Sequence, residues 1–230
     1  MTVFSEIVLP KLIFQTSTPY NERVEVWQYG KHLKLMVNGS VESTTHDTPS
    51  AKNSFLGRTV DLLKENEPSL QRVLILGLGG GTMQHFISQK FDPCPEIVSV
   101  DIDAQVVGIA KEYFEVDKIP NHRIIIDDAC RVVVEPEKFD LAEHMFDAVV
   151  VDIFIGDKYP DLGRSGNFVA GVKRLLKPGG LAVFNRIYHG HHQDEVNMFI
   201  EMLHDFFTDV NSLIIAGKTN SDNVLIYCRE

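Results

Sequence analysis

The chain has 230 residues, 44% hydrophobic and 23% charged, which suits one substantial globular core with a small appendage. Its 32 acidic and 22 basic residues give a net charge of -10, and no Lys/Arg cluster stands out, which argues against a nucleic-acid partner. No apolar run reaches the roughly 20 residues of a membrane span, and the opening MTVFSEIVLPKLIF lacks a basic leader, so no membrane partner and a cytoplasmic location are expected.

In chain order, RVEVWQYG and HLKLMVNG (residues 23–30 and 32–39) alternate apolar and polar side chains around Gly30 and Lys31 and predict an antiparallel hairpin. Trp27 and Tyr29 are expected to pack this hairpin. Residues 38–53 lose periodicity and read as a loop or linker. Residues 1–52 are therefore expected to form a small N-terminal β-hairpin appendage, and residues 53–230 the main domain.

From residue 54 the pattern changes. SFLGRTVDLLKEN has helical spacing, VLILGL (73–78) is strand-like, and TMQHFISQKF (82–91) is helical. EIVSVDI, RIIID and FDAVVVDIF read as further strands, with helical AQVVGIAKEYF after the first. NFVAGVKRLLKPGG reads as a helix closed by Lys-Pro-Gly-Gly, followed by the strand LAVFNRI and a helix over QDEVNMFIEMLHDFF. VNSLIIAG and NVLIYCRE form a closing antiparallel hairpin. Strands apolar on both faces and alternating with helices predict a doubly wound, mostly parallel α/β sheet of seven strands. Cys94, Cys130 and Cys228 are far apart with no CxxC pair, as expected of free thiols.

The loop LGLGGGT joins the first strand of this sheet to its first helix, where ligands of open α/β sheets bind. Gly77, Gly79 and Gly81 are spaced G-x-G-x-G. Thr82 stands where the dinucleotide fingerprint needs Gly or Ala, and no Gly-Lys-Ser/Thr follows for a phosphate loop. Asp101, Asp128 and Asp152 end the next three strands at the same edge. Like charges gathered there stabilise nothing by themselves, so their register with the glycine loop points to a ligand. A carboxylate at Asp101, 24 residues after Gly77, is placed to accept both hydroxyl protons of a ribose. His189, His191 and His192 lie at this edge too, but no carboxylate or cysteine pattern completes a metal site, and none is expected.

The stretches LILGLGGGTM, IVSVDIDAQVVGIAKEYF, IIIDDA, FDAVVVDIF and LLKPGGLAVFN resemble the class I S-adenosylmethionine-dependent methyltransferases, with their Rossmann-like fold. Within that fold the chain is most similar to the spermidine synthase (aminopropyltransferase) family, over about residues 20–230. The resemblance implies that Gly77, Gly79 and Gly81 let the backbone approach the methionine part of a sulfonium donor. It implies ribose hydroxyls on Asp101, adenine against Ile102, the adenine edge at Asp128 and Ala129, and the amino end of the donor or acceptor at Asp152. It also implies homodimer contacts through the N-terminal hairpin.

Departures from the family cluster on the acceptor side. Its glycine loop usually carries an aspartate where this chain has Gly79, and its second catalytic aspartate is replaced by Ile155. Of its N-terminal Gln, Asp-Glu and Tyr-His-Glu elements, which align with Glu42, Asp47-Thr48 and 51–53, only Asp47 survives. Each missing group would hold or deprotonate a cationic amine. The expectation is therefore a transferase using S-adenosylmethionine, leaning to methyl transfer onto a small-molecule acceptor. Aminopropyl transfer from decarboxylated S-adenosylmethionine is the second enzyme reading, and a non-catalytic nucleoside-binding module the third. Asp152 is the candidate base, with Asp157 a displaced substitute for the missing aspartate and Tyr159 a candidate acceptor-side wall.

Overall fold

The computed structural model describes residues 9–154, 166–188, 190, 192–217 and 222–229. Val24, Val26, Leu35 and Val37 recur at every second position of β2 (Val24–Tyr29) and β3 (His32–Val37), so they share one face of the sheet. That face packs on Val106, Ile109 and Phe114 of helix α4 (Ala104–Phe114). The predicted hairpin is thus present, and β1 (Lys11–Thr16) and β4 (Ser40–Thr44) extend it to a four-stranded antiparallel sheet in the order β1-β2-β3-β4.

The loop expected over residues 38–53 is corrected by β4 and by the short helix α1 (Pro49–Lys52), which Thr48 caps. In SVEST the apolar Val41 is 49% exposed while Ser43 is 4% exposed. The strand turns polar atoms inward because its neighbour is glycine-loop backbone rather than an apolar core.

The second sheet contains β5 (Arg72–Leu76), β6 (Glu96–Asp101), β7 (His122–Ile126), β8 (Phe146–Val151), β9 (Leu176–Ile187), β10 (Asp209–Ile215) and β11 (Asn223–Arg229). Its order is β10-β11-β9-β8-β5-β6-β7, parallel from β9 to β7, with β11 and β10 antiparallel at one edge. Leu74 and Leu76 of β5 face one apolar layer with α5 (Ala129–Val134), α6 (Gly166–Leu175) and α7 (His192–Leu203). Val73 and Ile75 face the other, with α2 (Phe55–Asn66) and α3 (Thr82–Lys90). Two-sided burial is what the unbroken apolar strands predict.

Two details differ from expectation. Helix α5 follows β7, though its β-branched sequence ACRVVV carries no helical periodicity; Asp128 starts it by accepting the Cys130 N–H. Lys-Pro-Gly-Gly is part of β9, where a register shift between the Phe146–Leu176 and Ala148–Leu181 pairs absorbs it, and α6 has already ended at Leu175.

The two sheets are joined at Asp103. Its carboxylate caps α4 by accepting from the Gln105 and Val106 N–H groups, and it also accepts from the Thr18 hydroxyl (2.5 Å) and the Asn21 side-chain amide (3.1 Å). Leu35, fully buried against α4, is the apolar counterpart of this join. Leu35→Ala is expected to lower unfolding free energy by about 2–5 kcal/mol in urea titration, with a smaller loss marking that join as soft.

Candidate functional site

β5 lies between β6 and β8, so successive crossovers leave it in opposite directions and a crevice opens beyond its carboxyl end. A cavity of about 230 Å³ fills this crevice. Gly77 is there for a local reason. Its φ is +111°, and a Cβ would stand 2.1 Å from the carbonyl oxygen of Asp152, so the β5–β8 approach tolerates no side chain. Gly81 is at φ +75°, with a Cβ position 2.2 Å from Val116, and it forms the N-cap of α3 outside the cavity lining. Gly77, Leu78 and Gly79 form the part of the loop that faces the cavity.

Asp101 ends β6. Its carboxylate accepts from the Leu78 N–H (3.2 Å) and the Asp103 N–H (2.9 Å), which orients it across the loop. Burial raises its pKa against these backbone hydrogen bonds, which lower it. Ile102, 40% exposed, forms the neighbouring wall, with Asp127, Asp128 and Ala129 from the β7–α5 turn. Asp152 enters from the end of β8 and accepts from the Asn185 side-chain amide of β9 (2.8 Å), whose oxygen accepts from Asn223 of β11 (3.0 Å). Burial pushes Asp152 up to about 6, against the Asn185 hydrogen bond.

The structure therefore brings Gly77, Gly79, Asp101, Ile102, Asp128, Ala129 and Asp152 to one cavity. Asp157 and Tyr159 lie outside the described residues, as do His189 and His191. Asp47 is exposed and paired with Lys31 (3.5 Å) and His32 (3.1 Å), away from the lining. Trp27 donates to Glu25 and Tyr29 stacks under Lys34, both within the N-terminal sheet.

Glu42 is the residue that sequence reasoning did not assign to the site. Strand β4 lies against the glycine loop: Gly80 N–H donates to Ser43 Oγ (2.8 Å), and the Thr82 hydroxyl donates to the Thr44 carbonyl (2.6 Å). This contact carries Glu42 into the lining. Burial, then the Asp152 and Asp101 carboxylates, push Glu42 up to about 8. Only its alignment with the family's N-terminal Gln marked it in advance. Asn185 was also unassigned, although an amide inside LAVFNRI is a signal, because a buried polar group in an apolar strand needs a partner.

The lining includes Glu42 and five aspartates, with no Lys, Arg or His among its described residues. Such a wall suits a cation. Nothing in it resembles a cradle for a pyrophosphate, which would meet carboxylates on several sides.

Residues 13–229 match the spermine/spermidine synthase domain, and the chain belongs to that family. It is 31% identical over 118 residues to a polyamine aminopropyltransferase of Vibrio vulnificus, covering 51% of this chain and 38% of that protein. It is 30% identical over 166 residues to the eEF1A lysine and N-terminal methyltransferase homolog of Drosophila melanogaster, covering 68% of this chain and 23% of that protein. The chain thus spans well under half the length of either relative. A probable spermidine synthase from Corynebacterium glutamicum shares the fold, with a TM-score of 0.76, 19% identity, and coverage of 94% of this chain and 79% of that one.

Two outcomes follow from this geometry. Gly77→Ala should destabilise the fold by more than about 1 kcal/mol, because neither its positive φ nor the Asp152 carbonyl leaves room; wild-type denaturation behaviour would contradict this contact. Between the ordinary value of 4.5 and about 8, folded Glu42 keeps a proton that the unfolded chain releases, so its contribution to stability is lost as pH rises through that window. Glu42→Gln should therefore show a shallower fall in melting temperature over that range than wild type, and an unchanged fall would refute the assignment.

Proposed function

We propose that this chain transfers an alkyl group from an S-adenosyl sulfonium donor to a small nucleophilic acceptor. The observation that carries this reading is Asp101, held by two backbone N–H groups at the end of β6 and facing the same cavity as the glycine loop. In this reading Asp101 accepts from the ribose hydroxyls, while Ile102, Asp128 and Ala129 surround the adenine. A sulfonium carries its own leaving group, so the protein needs no covalent intermediate. Holding nucleophile and carbon in near-attack geometry supplies ~7–11 kcal/mol of the barrier.

Asp152 is the proposed base for an amine acceptor. A carboxyl near 6 is mostly ionised at neutral pH yet more basic than an ordinary aspartate, which matches that task. Asn185 keeps it turned toward the cavity. Asp157 and Tyr159 remain acceptor-side candidates from the sequence.

Methyl transfer is the first reading, because the carboxylate that would seat a second amine is replaced by Ile155 and the surviving Asp47 is outside the cavity. Aminopropyl transfer is the second. It is favoured by a lining that holds Glu42, Asp101 and Asp152 with no cation among its described residues to receive the carboxylate of S-adenosylmethionine.

Thermal-shift titration tests both. An adenosyl ligand at 100 times its dissociation constant should add ~2.7 kcal/mol of stability, and Asp101→Ala should abolish the gain. A larger shift with decarboxylated S-adenosylmethionine than with S-adenosylmethionine selects the second reading. Stabilisation by NAD alone, or an undiminished shift in Asp101→Ala, contradicts the proposal.

A further inference from the structure

The donor's sulfonium charge disappears during the reaction that the proposed function requires. The carbon–sulfur bond breaks with its electron pair left on sulfur, the acceptor's lone pair forms the new bond, and the sulfonium becomes a neutral thioether. The acceptor's proton passes to Asp152 or to water. With a methyl donor, substrate and product differ in charge only at sulfur. An aminopropyl donor also hands on its ammonium, but its sulfur changes in the same way, so a residue facing that atom can tell donor from product.

Glu42 has the position for this. In the proposed function Asp101 marks the ribose end of the cavity and Asp152 the end where transfer would occur, and Glu42 lines the same cavity from β4, the strand bonded to the glycine loop. In the proposed donor pose the glycine loop faces the stretch joining ribose to the transferred group, so a residue on the strand bonded to that loop is on the sulfur's side of the cavity. Its strand is fixed by two hydrogen bonds to the glycine loop, from Gly80 to Ser43 and from Thr82 to Thr44. The loop and β4 approach closely at this point: a Cβ on Gly79 would stand 3.0 Å from Ser43 Oγ and 4.0 Å from the Glu42 backbone carbonyl oxygen.

We infer that Glu42 is a specificity residue that pairs with the donor's sulfonium as a carboxylate and holds the neutral thioether product without that pairing. This rests on the proposed sulfonium chemistry, and it holds for a methyl or an aminopropyl donor alike. The titratable groups around Glu42 in the lining are Asp101 and Asp103 on the β6–α4 side, Asp127 and Asp128 on the β7–α5 side, Asp152 after β8, and Tyr20 from the segment before β2. Asp127 is already paired with Arg131 (2.9 Å) and Asp103 with Thr18 and Asn21. None of the six is cationic, so a ligand cation is what draws the proton off Glu42. Donor binding then releases one proton to solvent, and product formation takes one back.

The test compares methylthioadenosine with its S-methylated sulfonium, a pair that differs by one methyl group and one positive charge. Isothermal titration between about pH 6 and 8 should show sulfonium affinity rising toward tenfold per pH unit. Methylthioadenosine affinity should stay nearly level, and the heats for the sulfonium should vary with buffer ionisation enthalpy as a proton is released. Glu42→Gln should remove the slope and most of the sulfonium preference while still binding methylthioadenosine, which also shows that it folds. Equal slopes for the two ligands, or an unchanged slope in Glu42→Gln, would overturn the inference while leaving the proposed function standing. Failure of wild type to bind either ligand would remove both.

Discussion

The contact between β4 and the glycine loop is the constraint on which the rest of the structure depends. Two hydrogen bonds, Gly80 N–H to Ser43 and Thr82 hydroxyl to Thr44, attach a strand of the small sheet to the turn that opens α3. Without them the loop would face solvent and the cavity would lose one wall. With them, the four-stranded sheet becomes part of a site. The apolar packing of Val24, Val26, Leu35 and Val37 on α4 sets the same placement from the other face.

Electrostatics give that wall its meaning. Glu42, Asp101 and Asp152 approach one cavity from three different elements, and burial raises all three. Mutual repulsion among carboxylates is a cost in the protein alone, and it becomes an attraction for a ligand that brings positive charge. The departures from the synthase pattern fit this picture. The glycine loop has Gly79 where that pattern places an aspartate, and a carboxylate lines the same cavity from β4 at Glu42, 37 residues earlier in the sequence.

Much of this was legible in the sequence, for reasons that can be named. Strands such as VLIL and AVVV are apolar on both faces and bounded by helical periodicity, which leaves little alternative to a covered parallel sheet. Asp101, Asp128 and Asp152 could be placed together because each stands at or just beyond the carboxyl end of a strand, at the same edge as the glycine loop. The glycines themselves were legible as a tight turn, but their cause was not: Gly77 yields to the Asp152 carbonyl and Gly81 to Val116, both protein neighbours. Strand β4 was illegible because it hides Ser43 and exposes Val41, inverting the usual pattern, and Glu42 was lost with it. Helix α5 was missed because ACRVVV is short and β-branched, and its start depends on the Asp128 cap.

The central claim is that the crevice beside Gly77 receives an adenosyl sulfonium compound through its sugar. A crystal structure with bound methylthioadenosine measures this most directly. Ribose hydroxyls within hydrogen-bond distance of Asp101, adenine beside Ile102 and Ala129, and sulfur beneath Glu42 are the expected result. Nucleoside bound elsewhere, or sugar turned away from Asp101, would contradict it.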